Sequence, residues 1–197
     1  MPLRTPDPGT FEKLLSEVRI PASSLVRLSK YPATEPHWSK GRYRFDGPDG
    51  PGGFGTTYAA DSLGVAFCES VIHECSWFSG GKYNVPMADL TARHIIELAR
   101  PSKPELVLAN LTGRALKKLG LNNDISASDD YAIPMAWARA IHDCNAKWDG
   151  ILYVSRQHND CKAVALFERS AVVVARRTKL RGKTLDDLCD EYQVVAV

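Results

Sequence analysis

The chain has 197 residues, enough for one well-packed domain with an appendage, and its 44% hydrophobic and 24% charged content is that of a globular protein. A net charge of +2 argues against direct nucleic-acid binding, and no run approaches the roughly 18 apolar residues of a membrane span. Five cysteines, an odd number with no C-x-x-C pair, argue against a disulfide framework and a zinc site, and fit reduced thiols in a cytoplasm.

In chain order, residues 1–9 are rich in Pro and Gly, and the N-terminus lacks the apolar core of a signal peptide. Thr10 caps an expected helix FEKLLSEV, which Pro21 ends. SSLVRLS (23–29) reads as a strand carrying Arg27. Lys30 to Gly55 has no sustained period and holds four prolines, so it reads as a long loop, a feature that is usually functional or mobile. TTYAA (56–60) is a strand, followed by a helix SLGVAFCESVIHE capped by Asp61 or Ser62. ARHIIELA (92–99) and ELVLA (105–109) are strands, and LTGRALKKLG is a short helix stopped by Gly120. A longer helix is expected from about Asp130 to Cys144, with Pro134 in its tolerant first turn. GILYVS (150–155) and CKAVALFE (161–168) read as central strands, SAVVVA as another, and TLDDLCDEY as a closing helix. Intermixed strands and helices without regular βαβ spacing indicate an α+β domain, a mixed β-sheet core with flanking helices. The basic run Arg176–Lys183 is either a solvated surface segment or a docking site for an acidic partner.

The loop RYRFDGPDGPGGFGTTYAA (42–60) raises the question of a phosphate ligand. The P-loop template is absent, and Gly53-Phe54-Gly55 precedes a strand rather than opening a helix, which removes a dinucleotide-binding reading. A glycine-rich turn with no ligand is the plain alternative. Its neighbours favour a phosphorylated riboside. Arg42 and Arg44 offer planar donor forks, Tyr58 a ring and a hydroxyl, and Glu69 a carboxylate for ribose or for positive charge at a sugar carbon.

The ordered set Arg27; Arg44-Phe45-Asp46-Gly47-Pro48; Thr57-Tyr58-Ala59-Ala60-Asp61-Ser62; Ala66-Phe67-Cys68-Glu69; and Asp149 through Arg156 resembles the RES domain, named for an arginine, a glutamate and a serine. The resemblance runs from about Leu25 to Phe167. It implies a fold similar to that of ADP-ribosyltransferases, NAD+ as substrate rather than cofactor, and no metal. It also implies a toxin neutralised by an Xre-type helix-turn-helix antitoxin. Carried over by motif, Glu69, Arg44, Tyr58 and Ser155 are the expected catalytic residues, and Arg27, Arg44 and Tyr58 bind NAD+. Tyr43 rather than glycine precedes Arg44, whereas Gly41 precedes Arg42, so Arg42 is the alternative family arginine. The expected organisation is an N-terminal extension (1–22), the RES domain (23–175), and a basic segment with a C-terminal helix packed on it (176–197). The implied reaction is cleavage of the nicotinamide–ribose bond by hydrolysis or phosphorolysis. The alternatives are mono-ADP-ribosyl transfer to a protein, or a catalytically silent binding module that keeps the fold.

Overall fold

A computed structural model describes residues 2–197. Eleven strands form among the described residues: β1 (Glu17–Pro21), β2 (Val26–Ser29), β3 (Thr56–Ala60), β4 (Trp77–Ser79), β5 (Lys82–Val85), β6 (His94–Ala99), β7 (Glu105–Leu111), β8 (Gly150–Val154), β9 (Lys162–Phe167), β10 (Val173–Lys179) and β11 (Val194–Ala196). Eight of them make one sheet in the order β1-β7-β8-β9-β3-β2-β6-β10, and β11-β5-β4 form a second. In the large sheet only β7 and β8 run parallel; the crossover between them carries the helices Gly113–Lys118, Asp124–Ala127 and Ala132–Cys144. The expected mixed sheet with flanking helices is the observed architecture.

Period-two alternation sorts the side chains into layers. Val107, Ala109, Ile151, Tyr153, Ala163 and Ala165 face Trp137, Ala138 and Ile141 of helix Ala132–Cys144. Leu106, Leu108, Leu152, Val164 and Leu166 line the opposite face with Leu25 and Ile96. A further cluster joins Leu28 to Val65, Phe67 and Val71 of the helix that follows β3. Central β8 and β9 are therefore apolar on both faces, as their near-continuous apolar sequences require.

Several elements differ from the sequence reading. The first helix spans only Phe11–Leu14. The residues after it, Glu17–Pro21, pair with β7 as an edge strand, because alternating Val18 and Ile20 gain burial against the sheet that an isolated short helix cannot offer. Ala22–Ser24 form a 3-10 turn, so β2 starts at Val26. The basic run is not a separate segment: Arg176, Arg177 and Lys179 lie on β10, the outer strand paired with β6. The β4–β5 hairpin was not anticipated, although Gly80-Gly81, both at positive φ, is a strong two-residue turn signal.

Candidate active site

The helix after β3 is capped by Ser62, whose side chain accepts from the Val65 N–H. It runs through Leu63–Phe67 and then widens into a π turn over Cys68–Ile72 before His73–Cys75. In that turn the His73 N–H donates to the Cys68 carbonyl, five residues back. Such turns occur often at functional sites. Buried Arg93 secures the widened stretch, donating to the Ser70 carbonyl and to Cys75 Sγ. Glu69 lies inside the π turn and His73 directly after it, and both line one cleft.

The other walls of this cleft are Arg44, Ser126, Tyr153, Arg156 and Gln157. Ser155, fully buried just past the end of β8, donates from Oγ to Glu69 Oε1 at 2.6 Å. The same Oγ accepts the Gln157 and His158 N–H groups at 3.2 and 3.1 Å. With both acceptor directions occupied, the hydroxyl hydrogen points to the carboxylate. Tyr153 presents its ring to the same space; burial, then the Glu69 charge, holds its phenol protonated far above neutral pH.

Arg44 enters from the long loop. It donates to the Ser128 carbonyl and stacks over Tyr131, 4.8 Å from the ring centroid. Arg42 instead lies over the Tyr43 ring and is exposed, so the geometry brings Arg44, not Arg42, to Glu69. Tyr58 supports this loop rather than lining the cleft. Its hydroxyl donates to Asp46 Oδ1 and accepts the Phe45 N–H, both at 2.9 Å. Asp46 in turn accepts from Ser39 Oγ and from the Arg42 and Tyr43 N–H groups. The turn immediately before Arg44 is thus wound around one buried carboxylate. Burial first, and Asp46 second, raises the Tyr58 phenol well above its ordinary value.

Arg27 is elsewhere. It opposes Ile96, whose side chain belongs to the other layer of the sheet, and directly opposed residues share a face. Its guanidinium is held by the buried Glu35 carboxylate at 3.0 Å and by the Tyr58 carbonyl. The cleft therefore brings Arg44 together with Glu69, with Ser155 buried behind the carboxylate, Tyr58 behind the Arg44 loop and Arg27 outside.

Two glycines of the long loop, Gly47 and Gly53, answer to packing within the loop. A Cβ on Gly47 would lie 2.4 Å from the Phe54 carbonyl, and one on Gly53 would lie 2.0 Å from the Pro48 carbonyl. They are small because the loop folds back on itself. A wider surface depression lies over helix Gly113–Lys118 with Arg114, Lys117 and Lys118; it holds no carboxylate and is remote in its lining from Glu69. Among the described residues, no group of three or more His, Cys, Asp or Glu side chains is placed to hold a metal ion. Nor is any described helix long and apolar enough to cross a membrane. All five cysteines are free. Burial pushes the Cys68 thiol, next to Glu69, up to about 11, which makes it a poor nucleophile near neutrality.

The RES domain family matches residues 18–186, most of the chain. The chain belongs to the RES domain family. A solved structure similar to this RES protein is described as the crystal structure of the M. tuberculosis MbcT–MbcA toxin–antitoxin complex. The likeness has a TM-score of 0.60 at 14% identity, covering 92% of this chain and 97% of the other. At that identity it is a likeness of fold. No curated protein sequence matches the chain. The matched range takes in β1 and β10, so the domain reaches beyond both ends of the similarity legible in the motifs.

Five residues of the cleft lining were not picked out by sequence reasoning as parts of a site: His73, Ser126, Tyr153, Arg156 and Gln157, of which Tyr153 and Arg156 were noted only within a motif. For Arg156 a signal existed, since it directly follows Ser155 at the end of a central strand. For His73 a signal existed too, since it stands four residues after Glu69 on the same predicted helix, and such neighbours share a face.

Proposed function

We propose that this RES protein is a cytoplasmic toxin that cleaves the nicotinamide–ribose bond of NAD+ and is neutralised by an Xre-type helix-turn-helix antitoxin. The observation that carries the chemistry is the Glu69 carboxylate, oriented by Ser155 beside two arginines in one cleft. Support for the biological role comes from family membership and from the fold shared with a toxin–antitoxin complex.

Breaking this bond sends its electron pair to the pyridinium nitrogen and leaves positive charge on the ribose carbon and ring oxygen, as in glycoside hydrolysis. Glu69 faces that charge and stabilises it. Ser155 acts through Glu69, holding one carboxylate oxygen so that the pair enters the transition state already aligned. Arg44 binds the diphosphate through its planar fork, and Tyr58 keeps the Arg44 loop in place. Water then adds to the ribose carbon in hydrolysis, or inorganic phosphate in phosphorolysis.

The test is release of nicotinamide from NAD+ by the purified protein, followed by chromatography, with Glu69→Gln as the control. Wild-type turnover that the variant loses supports the reading; equal turnover by both overturns the role of Glu69. Free ADP-ribose as co-product marks hydrolysis, ADP-ribose 1-phosphate marks phosphorolysis, and label retained on a protein band marks transfer. No turnover and no growth inhibition on expression marks a silent binding module.

A further inference from the structure

At the mouth of the cleft Arg156 is paired with one exposed carboxylate, Asp129. Arg156 Nη1 lies 2.6 Å from Asp129 Oδ1. This hydrogen bond is the first cause that holds the Asp129 carboxyl below the usual range, and the charges of Arg44 and His73 add to it. Arg44 also reaches the Ser128 carbonyl and the Tyr131 ring. The segment from Ser128 to Tyr131 is thereby tied across the opening by two arginines. The space beneath is about 40 Å3, against the roughly 300–1,000 Å3 of sites that enclose small molecules.

The tie is weak. The Asp129 side chain is 86% exposed, and ion pairs in water contribute little. A diphosphate presents the same arginines with more negative charge and with paired oxygens that match the guanidinium fork. We infer that Arg156 is a second diphosphate-binding arginine, and that Asp129 occupies its place as an internal substitute anion until a diphosphate displaces it. Release of Asp129, together with transfer of Arg44 from the Ser128 carbonyl to the ligand, frees the segment and widens the cleft. The inference rests on the NAD+ reading for the remainder of the ligand, but the anion site can be probed without it.

The experiment is calorimetric titration of the full chain with inorganic pyrophosphate, run beside nicotinamide release from NAD+. Arg156→Ala is expected to weaken pyrophosphate binding at least tenfold, and Arg156→Lys by a smaller factor, since the charge stays and the fork is lost. Asp129→Asn is expected to tighten it about three- to fivefold, and this gain should vanish when Arg156→Ala is added. Circular dichroism of each variant checks the fold; both side chains are on the surface. Undetectable binding of millimolar pyrophosphate by the wild type, no effect of Arg156→Ala, or an Asp129→Asn variant no tighter than wild type would each overturn the inference. If pyrophosphate binding behaves as stated while NAD+ is untouched, the anion site stands and the NAD+ reading falls. If NAD+ turnover depends on Glu69 while neither KM nor pyrophosphate binding responds at 129 and 156, the reverse holds.

Discussion

Ser155 Oγ and Glu69 Oε1 are joined by a 2.6 Å hydrogen bond across 86 residues of sequence, tying the end of a central strand to a π turn on the neighbouring helix. Strand and helix are each fixed by their own packing, so the bond is a property of the fold and is in place before any ligand arrives. Ser155→Ala is expected to lower kcat for nicotinamide release by about 10–100-fold with little change in KM, because an orienting contact to the reacting carboxylate is lost while the phosphate contacts remain. Steady-state kinetics check this; an unchanged kcat would show that Glu69 needs no such support.

Tyr58→Phe should act differently. It removes the hydroxyl that accepts the Phe45 N–H and donates to Asp46, and so loosens the turn leading into Arg44. A buried donor left unpaired costs about 1–3 kcal/mol. The expected result is a modest loss of stability in a urea titration and a raised KM with kcat nearly kept. A large fall in kcat at constant KM would place Tyr58 at the reacting bond instead.

A third prediction concerns the support under β8. Asp149, which precedes it, accepts two parallel hydrogen bonds from Arg100, both at 2.8 Å, and one from the Val107 N–H. Both side chains of the pair are largely buried. Asp149→Asn leaves the guanidinium inside without its counter-charge, a change of about 3–5 kcal/mol. For a chain of this size that corresponds to a fall in Tm of roughly 6–20 °C. Differential scanning calorimetry is the measurement, and a shift of only a degree or two would mean that water replaces the lost charge.

The pH dependence of stability has an identifiable contributor in His142. Its ring stacks on Phe54, centroids 3.8 Å apart and 6° from parallel, and meets Phe167 edge-on. Burial lowers its pKa below 6.5, against the opposing pull of Asp143. The folded protein therefore binds this proton less readily than the unfolded chain, and stability falls as pH drops from about 7 through 6.5 to 5. Asp89 and Glu97, lowered first by hydrogen bonds from Lys30 and Arg176, give up their contribution only at more acid pH. Urea midpoints at pH 7 and 5 should differ less in His142→Gln than in the parent; an equal difference assigns the effect to other groups.

The central strands, the long crossover helix and the helix bearing Glu69 were legible because each has a strong local signal: apolar runs of five or six residues, a proline in a first turn, a serine cap. The pairing of Glu17–Pro21 was not, since short alternation around Val18 and Ile20 competes with an equally good helical reading of the residues before it. Within the site, Arg44, Glu69 and Ser155 were singled out by their motifs; Arg44 and Glu69 line one cleft, and Ser155 is buried against Glu69. Arg27 was expected beside them, but strand register decides its face, and register is set by partners that a single strand does not display. The glycines were legible as a loop yet misleading as to cause: Gly47 and Gly53 answer to the approach of one backbone segment to another.

The placement of Arg176, Arg177 and Lys179 on β10 has a consequence for life at high concentration. An outermost strand has one row of amides and carbonyls with no neighbour, and a flat, apolar rim of that kind recruits further copies of itself. Here Arg177 and Lys179 stand on that rim, while Arg176 is paired with Glu97 of β6, so two molecules approaching edge to edge meet like charge before their backbones can zip together. Neutralising Arg177 and Lys179 would remove that repulsion and leave the edge open to pairing with a second copy.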